Sequence, residues 1–167
     1  MLIPPALQQP AAPAPKPEPK PEPGALAKLL QKRGTVVSLK RQALGALYGK
    51  GSLEVERLEA SNGADTQRGL GFHVAGPAQR DGEGRAILEA EELPALLDAL
   101  DRFQAEAAKL AAGGSDTSFT YTSNGGFSME LAREQGGTVF TLRAGRGEAV
   151  FAANQIAALR QLVEKAK

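Results

Sequence analysis

The sequence predicts an α+β protein: duplicated antiparallel β-meander plus helix units, behind a disordered proline-rich N-terminal arm. Three observations carry this. Short segments alternate apolar and polar residues with the period of two that a half-buried strand requires, and glycine-rich turns separate them. Two longer segments hold apolar residues at the i, i+3, i+4, i+7 spacing of one helix face. The two sets also recur in the same order. Leu93, Leu96 and Leu100 fall on Ile156, Leu159 and Val163 at a constant offset of 63, and Ala86–Glu89 falls on Ala149–Ala152 at the same offset.

The arm comes first, over residues 1–33. Residues 4–23 hold nine of the eleven prolines, and alternating proline denies the chain both helix and ladder hydrogen bonds. The expected state is an extended polyproline II spacer rising ~3.1 Å per residue. Its run of Pro-Lys and Pro-Glu pairs resembles the linkers of periplasm-spanning energy-transducing proteins of the TonB type, which implies a spacer holding a domain away from a surface. Gly24 to Arg33 puts Leu26, Leu29 and Leu30 on one helical face, with Gly34 to end it; read otherwise, it leads into the first strand.

The first repeat covers residues 34–114. Strands are predicted at Thr35–Leu39, at Ser52–Arg57 and at Gly69–Val74. An apolar stretch, Gly45–Tyr48, runs into a turn at Gly49-Lys50-Gly51, and Asn62-Gly63 marks another turn. A polar loop at Gln79–Gly84 precedes a short strand, Ala86–Glu89. The helix follows, with Leu93, Leu96, Leu97, Leu100, Phe103 and Leu110 on one face, Pro94 in its first turn, and Gly113-Gly114 at its end.

The second repeat covers residues 115–167. Phe119–Thr122, Phe127–Leu131, Thr138–Arg143 and Ala149–Ala152 read as strands, with turns at Asn124-Gly125-Gly126, Gln135-Gly136-Gly137 and Gly145-Arg146-Gly147. Asn154 is the expected cap of a closing helix that turns Ile156, Leu159, Val163 and Ala166 inward. One unit alone would bury too little apolar surface to be stable, so residues 34–167 are expected to form one globular domain.

Composition excludes several chemistries. With no cysteine there are no disulfides, zinc–thiolate sites or thiol nucleophiles, and the single histidine, His73, rules out a multi-histidine metal site within one chain. Residues 1–34 carry +3 of a total charge of +1, so the remainder carries −2. A mildly acidic body disfavours phosphate ligands, whose binding rests on clustered Lys and Arg. No run approaches the ~20 apolar residues of a membrane helix, so no integral membrane segment is expected. Met1–Leu7 is too short and proline-broken for a signal-peptide core. The compartment stays open: cytoplasmic as written, envelope if a signal peptide lies upstream of Met1.

Catalytic signals are weak throughout. His73 lies on the opposite strand face from Phe72 and Val74, and reads as a sheet-surface residue. Glu89, Glu91 and Glu92 straddle a strand-to-helix junction, where carboxylates favour the helix N-terminus. Asp98 and Asp101 read as a solvated helix face. The Asp81–Gly84 stretch lacks the ligand count of a calcium loop, and Gly69-Leu-Gly71 lacks the third glycine of a dinucleotide site. Arg143 and Arg146, on a glycine-rich turn, are the best anion-binding pair. No catalytic residue, metal or cofactor is expected, and the protein reads as a non-enzyme.

The order of Leu53-Glu-Val55, Arg68-Gly-Leu70 and the helix Leu93–Phe103 resembles the PUR-repeat and Whirly group, in which ββββα units pair into one globule. That resemblance implies single-stranded DNA or RNA bound on the sheets through basic and aromatic side chains. The basic candidates it implies are Lys40, Arg41, Arg57, Arg68, Arg133, Arg143 and Arg146; the stacking candidates are Tyr48, Tyr121, Phe72 and Phe127. Against this stand Glu54, Glu56 and Glu59 on the strand of Arg57, and the apolar phase of Phe72 and Phe127. The leading expectation is therefore a non-catalytic module binding an unknown protein partner, tethered through the proline-rich linker. The alternative is a PUR-like single-stranded nucleic-acid binder. Duplication can replace a homodimer by an intrachain pair, so monomer and homodimer both remain open.

Overall fold

A computed structural model describes residues 23–113, 116–134 and 137–167 of the chain. Residues 1–22 of the expected proline-rich arm, Gly114 and the Gln135–Gly136 part of one turn lie outside the described residues. The fold is α+β. A short helix α1 (Ala25–Leu30) leads into β1 (Ser38–Gly49), β2 (Gly51–Ser61), β3 (Thr66–Ala75) and β4 (Glu83–Glu89), then α2 (Leu93–Ala111). The second unit is β5 (Phe119–Thr122), β6 (Phe127–Glu134), β7 (Gly137–Ala144), β8 (Gly147–Ala152) and α3 (Ile156–Glu164). Each set of four strands is an antiparallel meander in sequence order.

Both helices follow their expected faces. Leu93, Leu96, Leu97, Leu100, Phe103 and Leu110 of α2 are buried, as are Ile156, Leu159 and Val163 of α3. They share one core with Leu53 and Val55 of β2, Leu70, Phe72 and Val74 of β3, and Phe127, Met129 and Leu131 of β6. Phe72 and Phe127 stack across the two sheets with ring centroids 4.4 Å apart. Pro94 sits in the first turn of α2, where its missing N–H costs nothing.

Several boundaries move. Residues 35–37 precede the sheet, and β1 instead runs unbroken from Ser38 through the polar Lys40–Gln42 to Gly49, with a bulge at Leu44 between Ala43 and Gly45. β2 continues past Arg57 to Ser61, β3 begins at Thr66, and β4 takes in Glu83 and Gly84 from the expected loop. On β2 the buried positions change face, from Leu53 and Val55 to Leu58 and Ala60, because α1 covers the outer side of the sheet there. Asn154 does not cap the closing helix. It lies within a 3-10 turn, Ala153–Gln155, that feeds straight into α3, and Gln155 stands at the cap position without a side-chain bond to the helix.

The two units close on each other about an approximate two-fold relation, and the 63-residue offset marks it. The β1–β2 tip residue Lys50 exchanges both main-chain hydrogen bonds with Val150 of β8, at 2.8 and 3.0 Å. The β5–β6 tip in turn lies on β4, where a Cβ on Gly125 would be 1.8 Å from the carbonyl oxygen of Ile87, the residue 63 before Val150. Gln155 donates to the Tyr48 carbonyl at 3.1 Å, and Glu92, 63 residues earlier, accepts the Asn124 N–H at 2.8 Å. At the centre, Gly84 rests on the Ala144 carbonyl and Gly147 on the Val74 carbonyl; a Cβ there would approach to 1.8 and 2.0 Å.

The helices are also tied by charge. Arg160 of α3 forks onto Asp101 of α2, with Nε–Oδ1 at 2.5 Å and Nη2–Oδ2 at 3.2 Å, and also meets Glu164. The hydrogen bonds from Arg160 hold the Asp101 carboxyl below its ordinary value of 3.8. A depressed carboxyl stabilises the fold above its unfolded value and loses that contribution as pH falls through the folded one. Asp101→Asn is therefore expected to flatten the stability profile below about pH 4, which chemical denaturation at stepped pH would measure; an unchanged slope would contradict it.

Candidate functional site

The sheet edges differ in what covers them. β4 and β8 are each met by the other unit's hairpin tip, at Ile87 and Val150. β5 is four residues long. β1 is twelve residues long and pairs only with β2, so its other edge is open among the described residues. Three of the sequence candidates, Lys40, Arg41 and Tyr48, sit on this strand. Arg41 opposes Leu58 and so lies on the outer face of the sheet; Lys40 opposes Glu59, on the other face. Val36, just before the strand, is 88% exposed, and Tyr48, near its end, 71%.

Three of the seven candidate cations, Arg41, Arg68 and Arg143, have carboxylate partners. Arg41 meets Glu56 at 3.1 Å, and Glu56 also lies 3.8 Å from Arg85. Arg68 meets Glu59 at 2.9 Å. Arg143 lies between Glu148 at 2.9 Å and Glu130 at 3.9 Å, on the outer face of the second sheet. Arg57 donates to the Lys165 carbonyl at the end of α3 and reaches Gln42 Oε1 at 3.4 Å, so it serves the C-terminus of a helix, where a cation is favourable. Lys40, Arg133 and Arg146 have no ion pair among the described residues, and they occupy three separate elements: β1, the end of β6 and the β7–β8 turn.

The aromatic candidates divide the same way. Phe72 and Phe127 are buried and stack on each other, so neither can receive a base. Tyr121 is half-buried, and burial together with the nearby Glu92 charge pushes its hydroxyl pKa up. Tyr48 alone of the named aromatics is open to solvent. His73 faces outward between Glu83, 2.8 Å from Nε2, and Glu54, 3.4 Å from Nδ1.

The carboxylates near residue 90 act differently from the sequence expectation. Glu89 does not serve α2. Its carboxylate accepts the N–H groups of Leu26 and Ala27, at 2.8 and 3.1 Å, and so caps α1. Glu92, in the 3-10 turn that leads into α2, accepts the Glu89 N–H at the end of β4, at 2.9 Å, and the Asn124 N–H across the joint. A groove of about 410 Å³ runs between α1, β4 and the β5–β6 tip, lined by Gly24, Arg85, Glu89, Glu91 and Asn124 among others. The cross-unit bonds of Glu92 here and of Gln155 at the other joint were not legible in the sequence beyond their shared offset.

Among the described residues no group of three His, Asp or Glu side chains is arranged to hold a metal ion, and no helix is long and apolar enough to cross a membrane. Neither a protein-family model nor a curated protein sequence matches the chain.

Proposed function

We propose that the protein is a non-catalytic interaction module, tethered through its proline-rich spacer, that takes an extended segment of a protein partner along β1. The observation that carries this reading is the contrast between charge and edge. Three of the arginines that a phosphate ligand would need, Arg41, Arg68 and Arg143, are matched by carboxylates on neighbouring strands, whereas β1 has no second strand partner among the described residues, with the Tyr48 carbonyl taken by Gln155 and with Val36 and Tyr48 exposed near its two ends. Strand addition draws affinity from main-chain hydrogen bonds and specificity from alternate side chains. The bulge at Leu44 and the cations Lys40 and Arg41 disfavour edge-to-edge pairing of two copies, which supports a partner of different sequence.

A second reading, a PUR-like binder of single-stranded DNA or RNA, draws on the three unpaired cations and on Tyr48. Its weakness is that Lys40, Arg133 and Arg146 lie on separate elements, while backbone tracking requires a continuous basic groove. The first reading is tested by capture on the immobilised full chain and on a Val36→Asp, Tyr48→Asp variant. A partner held by the parent and lost by the variant, with β1 amides gaining exchange protection in the complex, is the expected result. Equal capture by both, or unchanged β1 exchange, would sink it.

A further inference from the structure

We propose that α1 is a releasable clip, which opens without unfolding the body and lengthens the tether when it does. Its use as a tether adjuster rests on the tethered-module reading above; the opening itself does not. At six residues α1 is too short to persist as an isolated helix. What holds it is local. Leu26 and Leu29 pack with Leu58 and Ala60 in a small cluster on the outer face of the first sheet, separate from the main core. Leu26 lies over Gly69, where a Cβ would come within 2.7 Å of its Cδ2.

The remaining hold is the Glu89 carboxylate on the Leu26 and Ala27 N–H groups. Gly24 permits this approach, since a Cβ there would lie 2.3 Å from the Glu89 Cγ. Residues 31–36, between the clip and β1, are exposed. The second unit has no equivalent seat. Ala152 stands 63 residues after Glu89, and the neighbour of that strand end is Val139 where the first sheet has Gly69, so both the clamp and the recess are missing. Opening the clip would free residues 24–37, up to about 48 Å of extended chain at about 3.4 Å per residue.

Segments with few buried contacts open at lower free energy than the core. Native-state hydrogen exchange on the full chain reads this directly. The amides of residues 26–31 are expected to exchange at least about 100-fold faster than the central amides of β3 and β7. Glu89→Ala removes two charge-assisted hydrogen bonds and is expected to speed clip exchange about tenfold or more, leaving β3 and β7 unchanged. Gly24→Ala, which crowds the same carboxylate from outside the core, is expected to act alike. Clip amides that exchange only with the core, or variants that move core and clip equally, would overturn the proposal. A fast clip on a chain that captures no partner would leave the clip standing and remove only the tethered-module reading.

Discussion

Replacing Gly84 or Gly147 by alanine is expected to cost about 3 kcal/mol or more of unfolding free energy, at the upper end of what overpacking a close contact costs. The reason is the joint between the units. Each glycine rests on a carbonyl oxygen of the opposite sheet, Ala144 for Gly84 and Val74 for Gly147, closer than any Cβ can stand. Main-chain atoms cannot rotate away as a side chain can, so relief requires the sheets to separate. Gly63→Ala is the control: its φ of +92° makes a side chain costly, but no atom lies within 4 Å, so about 1 kcal/mol is expected. Urea denaturation compares the three. Equal losses would mean that the close approach does not hold the units together.

Phe127→Ala is expected to lose about 3–5 kcal/mol, the usual range for emptying a buried phenyl site. Phe127 is wholly buried at the start of β6 and stacks on Phe72 of β3, with ring planes 10° apart. It therefore belongs to the contact between sheets as well as to its own. A double-mutant cycle with Phe72→Ala is expected to return a coupling of about 0.5–1.5 kcal/mol, as for other aromatic pairs. Additive losses would place the two rings in independent packing environments. Either variant is expected to keep one cooperative unfolding transition, since one core spans both units.

Much of this architecture was legible because burial leaves periodic marks. The leucines of α2 repeat with the helix period over five turns, and every one of the six named positions is buried. The 63-residue offset extends further than the apolar positions suggest. It maps the 3-10 turn Ala90–Glu92 onto Ala153–Gln155, the central Gly84 onto Gly147, and the cross-unit bond of Glu92 onto that of Gln155.

The parts that stayed hidden have physical reasons. β1 is an edge strand, so Lys40, Arg41 and Gln42 meet solvent and carry no alternation, and the bulge at Leu44 breaks the period that remains. β2 loses its phase after Arg57 because α1 buries the opposite face from Leu58 onward. That change of face resembles a strand end to any rule that assumes one buried side. Glu89 reads naturally as an acid at the start of α2, and only the three-dimensional return of α1 shows which N–H groups it accepts. Ion pairing was equally invisible. Arg68 and Glu59 lie nine residues apart along the chain and directly opposite across β2 and β3.

That pairing is where the functional account is most exposed to test. Labelled single-stranded DNA and RNA oligonucleotides would be titrated with the full chain, followed by fluorescence anisotropy at about 50 and about 200 mM salt. With Arg41, Arg68 and Arg143 engaged by carboxylates, no saturable rise is expected at tens of micromolar protein, even at the lower salt. The contrary result is saturable binding that weakens with salt at a slope near −0.7 per phosphate contacted. If that binding also fell when Lys40, Arg133 and Arg146 became alanine, the interaction-module reading would give way to a nucleic-acid binder.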